Sequence, residues 1–478
     1  MATVNQQSMR QKIEQIKSEF DKLSASKKIN VETRMLFQSL FMIVNLLVSI
    51  FLEKTTKKNN KNSSKPSSQT DKDESALGQH KSQGKGKSER NTTADNTRTV
   101  ETTTIAQVTH CDVCGADLSK APCQGHERRT TIDILFEKRV EHVDAEIKRC
   151  VQCDSTVKAE FPSSMQGPLQ YGNGLKAYVI NLLIGQMIAL NRVQKLIKCM
   201  MGEMIAESSL LKFVLRLYEA LESWEVSAIK KILKSPAMNV DETGLRVVQQ
   251  NQWVHVYSAG DITLKFLHPK RGTKAIEDIN IIPRYSGTLI HDCWSPYLTY
   301  KNCNHGLCGS HLLRELQFVI DSNQYAWSVN MRRLLLEACK GVSKRKAKKL
   351  SANAYANLQK RYRNILTRAE KEMPIIPEKP NGKRGKIAKS DAHNLCERFN
   401  KYESAVLLFA KNAEVSFTNN RAERDLRMTK VKLKVSGCFR TELYAKAFCR
   451  ISSYLQTMAN KGHNPLVAIQ MALSREFT

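Results

Sequence analysis

Three acidic residues in this chain could carry its chemistry. Asp241 sits in the run Met238-Asn239-Val240-Asp241-Glu242-Thr243-Gly244, Asp292 follows the apolar stretch that ends at His291, and Glu423 lies one turn into Asn419-Asn420-Arg421-Ala422-Glu423-Arg424. A carboxylate delivered by a strand is a good ligand for a hard cation, because the sheet fixes where its oxygens sit. Two strands and one helix that each supply a carboxylate can hold two divalent ions about 4 Å apart, which suits in-line phosphoryl transfer. Magnesium, or manganese in its place, fits donors of this kind, since substrate phosphates complete the oxygen shell. Arg421, Arg424 and Arg427 on the same helix read as phosphate contacts, together with Arg314, Arg332 and Arg333.

A second set of donors is soft. Cys111-Asp112-Val113-Cys114 and Cys150-Val151-Gln152-Cys153 are separated by residues 115–149, a gap of 35. Tetrahedral zinc takes four thiolates, so the two C-x-x-C knuckles predict one structural zinc site. Cys123 and His126 form a further C-x-x-H pair that reads as a loop. Cys308 and His311 form another just after the second aspartate. Such a pair could bind a metal, but these two are expected to brace the helix beside the site through packing and a histidine hydrogen bond.

The elements that must position these residues follow from periodicity. Residues 238–248, 252–259 and 262–271 are strand-like runs, the first folding back at Thr243-Gly244. A helical stretch near 274–278, a strand over 287–294 and a helix over 310–320 come next. This order matches the ribonuclease H-like fold, a mixed α/β sheet flanked by helices. There the first and fourth strands are neighbours, so Asp241 and Asp292 meet at one sheet edge although 292 − 241 = 51 positions separate them.

Around that core, at 236–430, the chain reads as multidomain and helix-rich. Residues 1–53 are helical, with Ile13, Ile16, Phe20 and Leu23 forming a short heptad-like seam. The run Met35 to Leu52 carries no charge and could just span a bilayer. Gln38, Ser39, Asn45 and Ser49 interrupt it, so it reads as a self-associating or core helix. Residues 54–104 lack aromatics and are rich in Ser, Thr, Asn, Gln, Lys and Gly, the composition of a disordered basic linker. The zinc-knuckle domain occupies 105–165. A helical region over 170–235, broken at Gly202, reads either as a helix-turn-helix or as a plain helical hairpin. Basic helical segments at about 322–410, including Lys344 to Lys349 and a proline-rich break at 374–389, form an insertion in the core. Residues 431–478 are helical.

Composition narrows the partner. The 478 residues hold 75 Lys and Arg against 46 Asp and Glu, a net charge of +29. Such a chain favours a polyanion, above all nucleic acid, over a small-molecule substrate. Thirteen cysteines, an odd number, and a polar start without a signal-peptide core predict reduced thiols in the cytoplasm, here on the nucleoid.

Several blocks together resemble the insertion-sequence 66 transposases over roughly residues 60 to 478. Asn62-Ser63-Ser64-Lys65-Pro66-Ser67-Ser68 is similar to that family's NSSKPPS box, with Ser67 for its second proline. The two knuckles resemble its zinc finger, and Tyr171 to Ala177 the start of its helical domain. Val240-Asp241-Glu242-Thr243, His291-Asp292 and Asn419 to Arg424 resemble the three blocks of its D-D-E triad, and Cys308 to Leu316 the block after the second aspartate. Val435 to Phe439 lacks the family's usual tryptophan. The resemblance implies cleavage and joining of double-stranded DNA at the inverted-repeat ends of an element and at a target. It also implies a homo-oligomer on DNA and two small accessory proteins encoded beside the gene. A non-catalytic DNA-binding derivative and a ribonuclease H-like nuclease are the alternatives.

If six or more phosphates are contacted, DNA affinity is expected to fall by about a thousandfold or more between 50 and 200 mM salt. A filter-binding titration that stays flat over that range would contradict the reading.

Overall fold

The computed structural model describes residues 6–26, 29–59, 61–63, 102–133, 137–162, 165, 167–377 and 388–475. The linker expected at 54–104 falls mostly outside the described residues, as do Ser64 to Ser68 and most of the proline-rich break. The chain opens with α1 (Gln6–Ala25) and α2 (Val31–Thr55), followed by the short strands β1 (Ile147–Arg149) and β2 (Thr156–Lys158). Four helices follow, α3 (Asn173–Ile180), α4 (Leu190–Met201), α5 (Glu207–Ala220) and α6 (Glu222–Leu233). Then come β3 (Ala237–Val247), β4 (Gln250–Ala259), β5 (Ile262–His268), α7 (Thr273–Ile279), β6 (Thr288–His291) and β7 (Asn304–Leu307). The rest is helical: α8 (Gly309–Asn323), α9 (Ala326–Ser343), α10 (Ala352–Glu372), α11 (Asp391–Lys401), α12 (Glu403–Lys411), α13 (Asn420–Ser436), α14 (Glu442–Asn460) and α15 (Pro465–Leu473). The chain divides into two compact units, Met1–Gly86 with Glu225–Cys449, and Lys87–Trp224 with Arg450–Thr478.

The first unit is built on a mixed five-stranded sheet of order β5-β4-β3-β6-β7. β3, β4 and β5 pair antiparallel, while β6 and β7 run parallel to β3. The central strands are buried along nearly their whole length, as a sheet covered on both faces requires. The first and fourth strands are neighbours, as the order of elements implies.

Three local expectations are corrected. The β3 strand does not fold back at Thr243-Gly244 but runs through it to Val247. The turn falls at Val248 and Gln249, both left-handed at φ 48° and 63°, the two-residue hairpin geometry that normally recruits Asn or Gly. Here the strained turn is braced from outside, since Val248 N–H donates to Phe439 O at 2.9 Å and Phe439 N–H to Arg246 O at 2.9 Å. Lys344 to Lys349 are not helical, because α9 ends at Ser343 and the basic run lies in turns beyond it. The helix expected through 175–197 is interrupted, as α3 runs into a π-helical turn at Asn181–Gly185 and Met187 turns left-handed at φ 58° before α4.

Helices α8 to α12 share one core, in which Leu316, Trp327, Met331, Leu335, Tyr362 and Phe399 are fully buried. α2 is long and apolar enough to cross a membrane, by length and composition. Its last turn is nevertheless tied to this core through a buried carboxylate. Glu53 accepts the Asp391 and Ala392 N–H groups at 2.5 and 3.0 Å, which caps α11, and the Asn323 side-chain amide at 3.0 Å. Burial still pushes its carboxyl above the usual range, against the pull of those bonds.

In the second unit β1 and β2 pair antiparallel. Gly202, left-handed at φ 77°, caps α4 and separates it from α5 as the helix-break-helix pattern expects. The Tyr454 hydroxyl of α14 donates to Ala468 O of α15 at 2.8 Å.

Replacing Glu53 by Leu leaves two helix-end N–H groups without their acceptor and takes one acceptor from the Asn323 amide. It is expected to destabilise the first unit by about 2–4 kcal/mol, read as a lowered urea midpoint. A neutral result would mean that α2 is not docked this way.

Candidate active site

Asp241 lies on β3 and Asp292 directly follows the neighbouring parallel strand β6, and continuing the register of that pair sets the two level. Ala237 stands beside Thr288 and Asn239 beside Ile290, an offset of 288 − 237 = 51, the same 51 that separates the two aspartates. The ladder stops short of them, so both carboxylates emerge where β6 has ended. The backbone at Asp292 is held in an unusual shape. Cys293 is left-handed at φ 72°, a cost that tends to be tolerated where a side chain must be aimed. Trp294 N–H closes back on Asp292 Oδ1 at 3.1 Å, and Cys293 N–H donates to His291 Nδ1 at 3.1 Å. That bond makes His291 Nδ1 the acceptor, so its Nε2–H donates to His305 Nδ1 at 3.1 Å and His305 Nε2–H to Tyr300 O at 2.8 Å. Burial, then His305, pushes His291 down to about 3, and burial lowers His305 as well.

Glu242 follows Asp241 on the strand and therefore points to the opposite face. Its side chain is 1% exposed. It accepts Arg271 Nε at 2.8 Å and the Tyr297 hydroxyl at 2.6 Å. The Arg271 guanidinium in turn lies between the rings of Trp253 and Trp294, at 5.0 and 4.4 Å. The second acid of the pair is thus a clamp. It ties β3 to the loop that carries Asp292.

Helix α13 delivers Glu423, and its first turns are pinned to the sheet at several points. The buried Asn419 donates from Nδ2 to Val240 O at 2.7 Å, accepts Asn239 Nδ2 at 2.9 Å and donates its N–H to Cys308 Sγ at 3.1 Å. Asp425, also buried, accepts the Ser258 and Thr263 hydroxyls at 2.7 and 2.8 Å. With α13 fixed across β3, β4 and β5, Glu423 is held toward the aspartates.

The electrostatics of the cluster are those of like charges crowded together. Burial first, then the charges of Glu242, Asp292 and Glu423, pushes Asp241 up to about 8. Glu423 Oε1 is buried without a hydrogen-bond partner. His311 Nδ1, 3.7 Å away, has none either. A buried oxygen without a donor and a carboxyl raised by its acidic neighbours are what a divalent cation would relieve, and the oxygen donors suit a hard one. The set fits such an ion.

The cysteine knuckles are two copies of one turn. Gly115 N–H returns to Cys111 O and Asp154 N–H to Cys150 O, each at 2.9 Å, with Gly115 and Asp154 both left-handed. Backbone N–H groups of Cys114 and Val113 hold Cys111 below the usual thiol range, and the Ser155 hydroxyl and N–H bring Cys153 to about 7. Among the described residues the four sulfurs are not gathered into one group. The cluster of three donors that could share an ion is Cys308, His311 and Glu423. Cys308 braces α13 as expected, but His311 makes no bracing bond through Nδ1. Cys123 Sγ lies 3.7 Å from His126 Nε2.

The arginines separate into two kinds. Arg424 and Arg427 are exposed on α13. Arg421 turns inward, donating from Nη2 to Ile262 O at 3.2 Å. Arg314 lies on α8 near His311, Arg332 is half-buried, and exposed Arg333 donates to Asn330 Oδ1 at 2.8 Å. Asn419, Asp425, Arg271 and Tyr297 escape a reading by residue type, because their partners are distant in sequence. Only Asn419 stands inside a block that could have flagged it.

Comparison with known families matches residues 168–447 to the profile described as Transposase IS66 family. No curated protein matches.

The raised carboxyl of Asp241 sets a pH dependence in metal-free protein. A folded pKa near 8, above the ordinary carboxylate value, contributes stability at low pH that is lost as pH rises from about 4 through about 8. Asp241→Asn is expected to abolish this slope and to be the more stable protein at pH 8. Parallel stability-against-pH curves for the two proteins would show that Asp241 is not held among charges.

Proposed function

The chain belongs to the IS66 family of transposases, and from that premise we propose that it cleaves and joins DNA at the inverted-repeat ends of its element, with Asp241, Asp292 and Glu423 as the catalytic carboxylates. This reading is supported by the parallel β3–β6 register, whose continuation sets Asp241 level with Asp292, and by the charges of Asp292 and Glu423 acting on the Asp241 carboxyl. We read the five-stranded sheet, by its order and strand directions, as ribonuclease H-like.

The three carboxylates would hold two magnesium ions, with manganese as a substitute. Bound there, the ions lower the pKa of an attacking water or 3′-hydroxyl and neutralise the leaving oxygen. The chain's own work is to orient. The Trp294 and Cys293 turn aims Asp292, the Glu242–Arg271–Tyr297 clamp fixes that turn to β3, and Asn419 sets the height of Glu423. Arg424 and Arg427, exposed beside Glu423, meet DNA phosphates, with Arg314, Arg332 and Arg333 as further contacts. Arg421 acts on the sheet as well, through its bond to Ile262.

The two C-x-x-C turns are proposed to close on one structural zinc, since their N–H groups already favour thiolates. The second unit, with its α4–Gly202–α5 break, would add DNA contacts. Assembly as a homo-oligomer on the element ends, with the small accessory proteins, completes the reading.

Glu423→Gln keeps size and shape but removes the charge. DNA-end binding is expected to survive, because phosphate contacts supply the affinity, while cleavage falls by several orders of magnitude. Cleavage by the Gln variant at the wild-type rate removes Glu423 from the mechanism. No cleavage by the wild type, with end binding intact, would favour the non-catalytic DNA-binding alternative.

A further inference from the structure

The C-x-x-H pair at the head of α8 is not used by the carboxylate chemistry. Cys308 is buried as the chain leaves β7, and His311 follows one turn later. Cys308 Sγ, a ring nitrogen of His311 and a Glu423 oxygen all lie within 4.8 Å of one another. The two atoms that face each other at 3.7 Å, His311 Nδ1 and Glu423 Oε1, are both buried and both without a hydrogen-bond partner. That separation is too long for a hydrogen bond, and leaving two buried polar atoms unpaired is costly unless something sits between them. In a tetrahedral zinc site with Zn–N and Zn–O bonds of about 2.0–2.1 Å and Zn–S of about 2.3 Å, ligand atoms stand about 3.3–3.7 Å apart. At 3.7 Å the nitrogen–oxygen edge is about 0.3 Å longer than two such bonds of about 2.0–2.1 Å require. Closing a separation of up to 4.8 Å to that span takes a sulfur shift of about 1.1–1.5 Å at most.

We propose that Cys308, His311 and Glu423 form a binding site for one zinc-class divalent ion. A thiolate and an imidazole select such an ion against magnesium, which prefers an all-oxygen shell. Three protein donors leave a fourth position open. Binding releases the Cys308 thiol proton to solvent as the sulfur–metal bond forms. Glu423 is then shared between two kinds of ion. A zinc-class ion that takes its oxygen withdraws a ligand from the magnesium pair, so zinc restrains DNA cleavage. This last consequence rests on the transposase reading, whereas the ion site itself does not.

The test uses the full-length protein, stripped of metal and titrated with Co²⁺, whose thiolate charge-transfer band reports sulfur ligation. Wild type, Cys308→Ser, His311→Ala and Glu423→Gln are compared, with circular dichroism melts on the same samples. Cobalt held by the C-x-x-C knuckles contributes equally to all and cancels in the difference. Each variant is expected to bind one equivalent fewer tight cobalt ions than wild type, and Cys308→Ser to lose the matching part of the charge-transfer band. Equal stoichiometry in wild type and in every folded variant overturns the site. If Cys308→Ser does not fold, His311→Ala decides by the same criterion, since Glu423→Gln also removes a ligand from the carboxylate site. Asp241→Asn separates the two claims. It removes the proposed cleavage and is expected to keep the Cys308-dependent equivalent, so failure of the transposase reading leaves this result readable. Zinc inhibition of cleavage, where cleavage is present, is expected to shift at least tenfold in Cys308→Ser.

Discussion

Burial of the Asp241 carboxyl among like charges is the constraint on which this structure turns. Asp241 is enclosed and surrounded by the charges of Glu242, Asp292 and Glu423, and its carboxyl is pushed to about 8 as a result. No arrangement of apolar packing favours that crowding, so other parts of the fold must hold it in place. Sites that are costly to fold without their ion are where function tends to be found.

The supports act from separate directions. Below the sheet edge, Glu242 joins Arg271 and Tyr297, so one acid of the pair anchors the loop that carries Asp292. Above it, Asn419 binds the backbone of Val240, one residue before Asp241, and hands its own N–H to Cys308. Asp425 fixes α13 to β4 and β5 through two hydroxyls. Each contact joins segments far apart in sequence. Together they join the ends of two interior strands and a helix start around the acidic residues.

Much of this was legible from residue patterns. Alternating apolar runs gave the strands, and the order of elements gave the neighbour relation of β3 and β6, which sets Asp241 level with Asp292. Other features were not legible, for physical reasons. The turn at Val248 and Gln249 has no Gly or Asn to announce it, because the Phe439 segment supplies the hydrogen bonds that stabilise it. β7 is only Asn304–Leu307, too short to show a period. Glu242 looks like a solvated partner of Asp241, and only the position of Arg271, 29 residues on, reveals a buried clamp. His311 read as a bracing residue, since nothing local shows that its Nδ1 would face Glu423 unpaired. The four-thiolate set was read from spacing alone, and its two turns form independently of each other.

The central claim is that Asp241, Asp292 and Glu423 share hard cations. Anomalous diffraction at the manganese edge, from crystals of the full-length protein grown with Mn²⁺ and element-end DNA, tests it most directly. The expected result is anomalous density bonded to Asp241, with Asp292 and Glu423 oxygens completing the protein ligands. Manganese bound elsewhere, with Asp241 left uncoordinated, would contradict it.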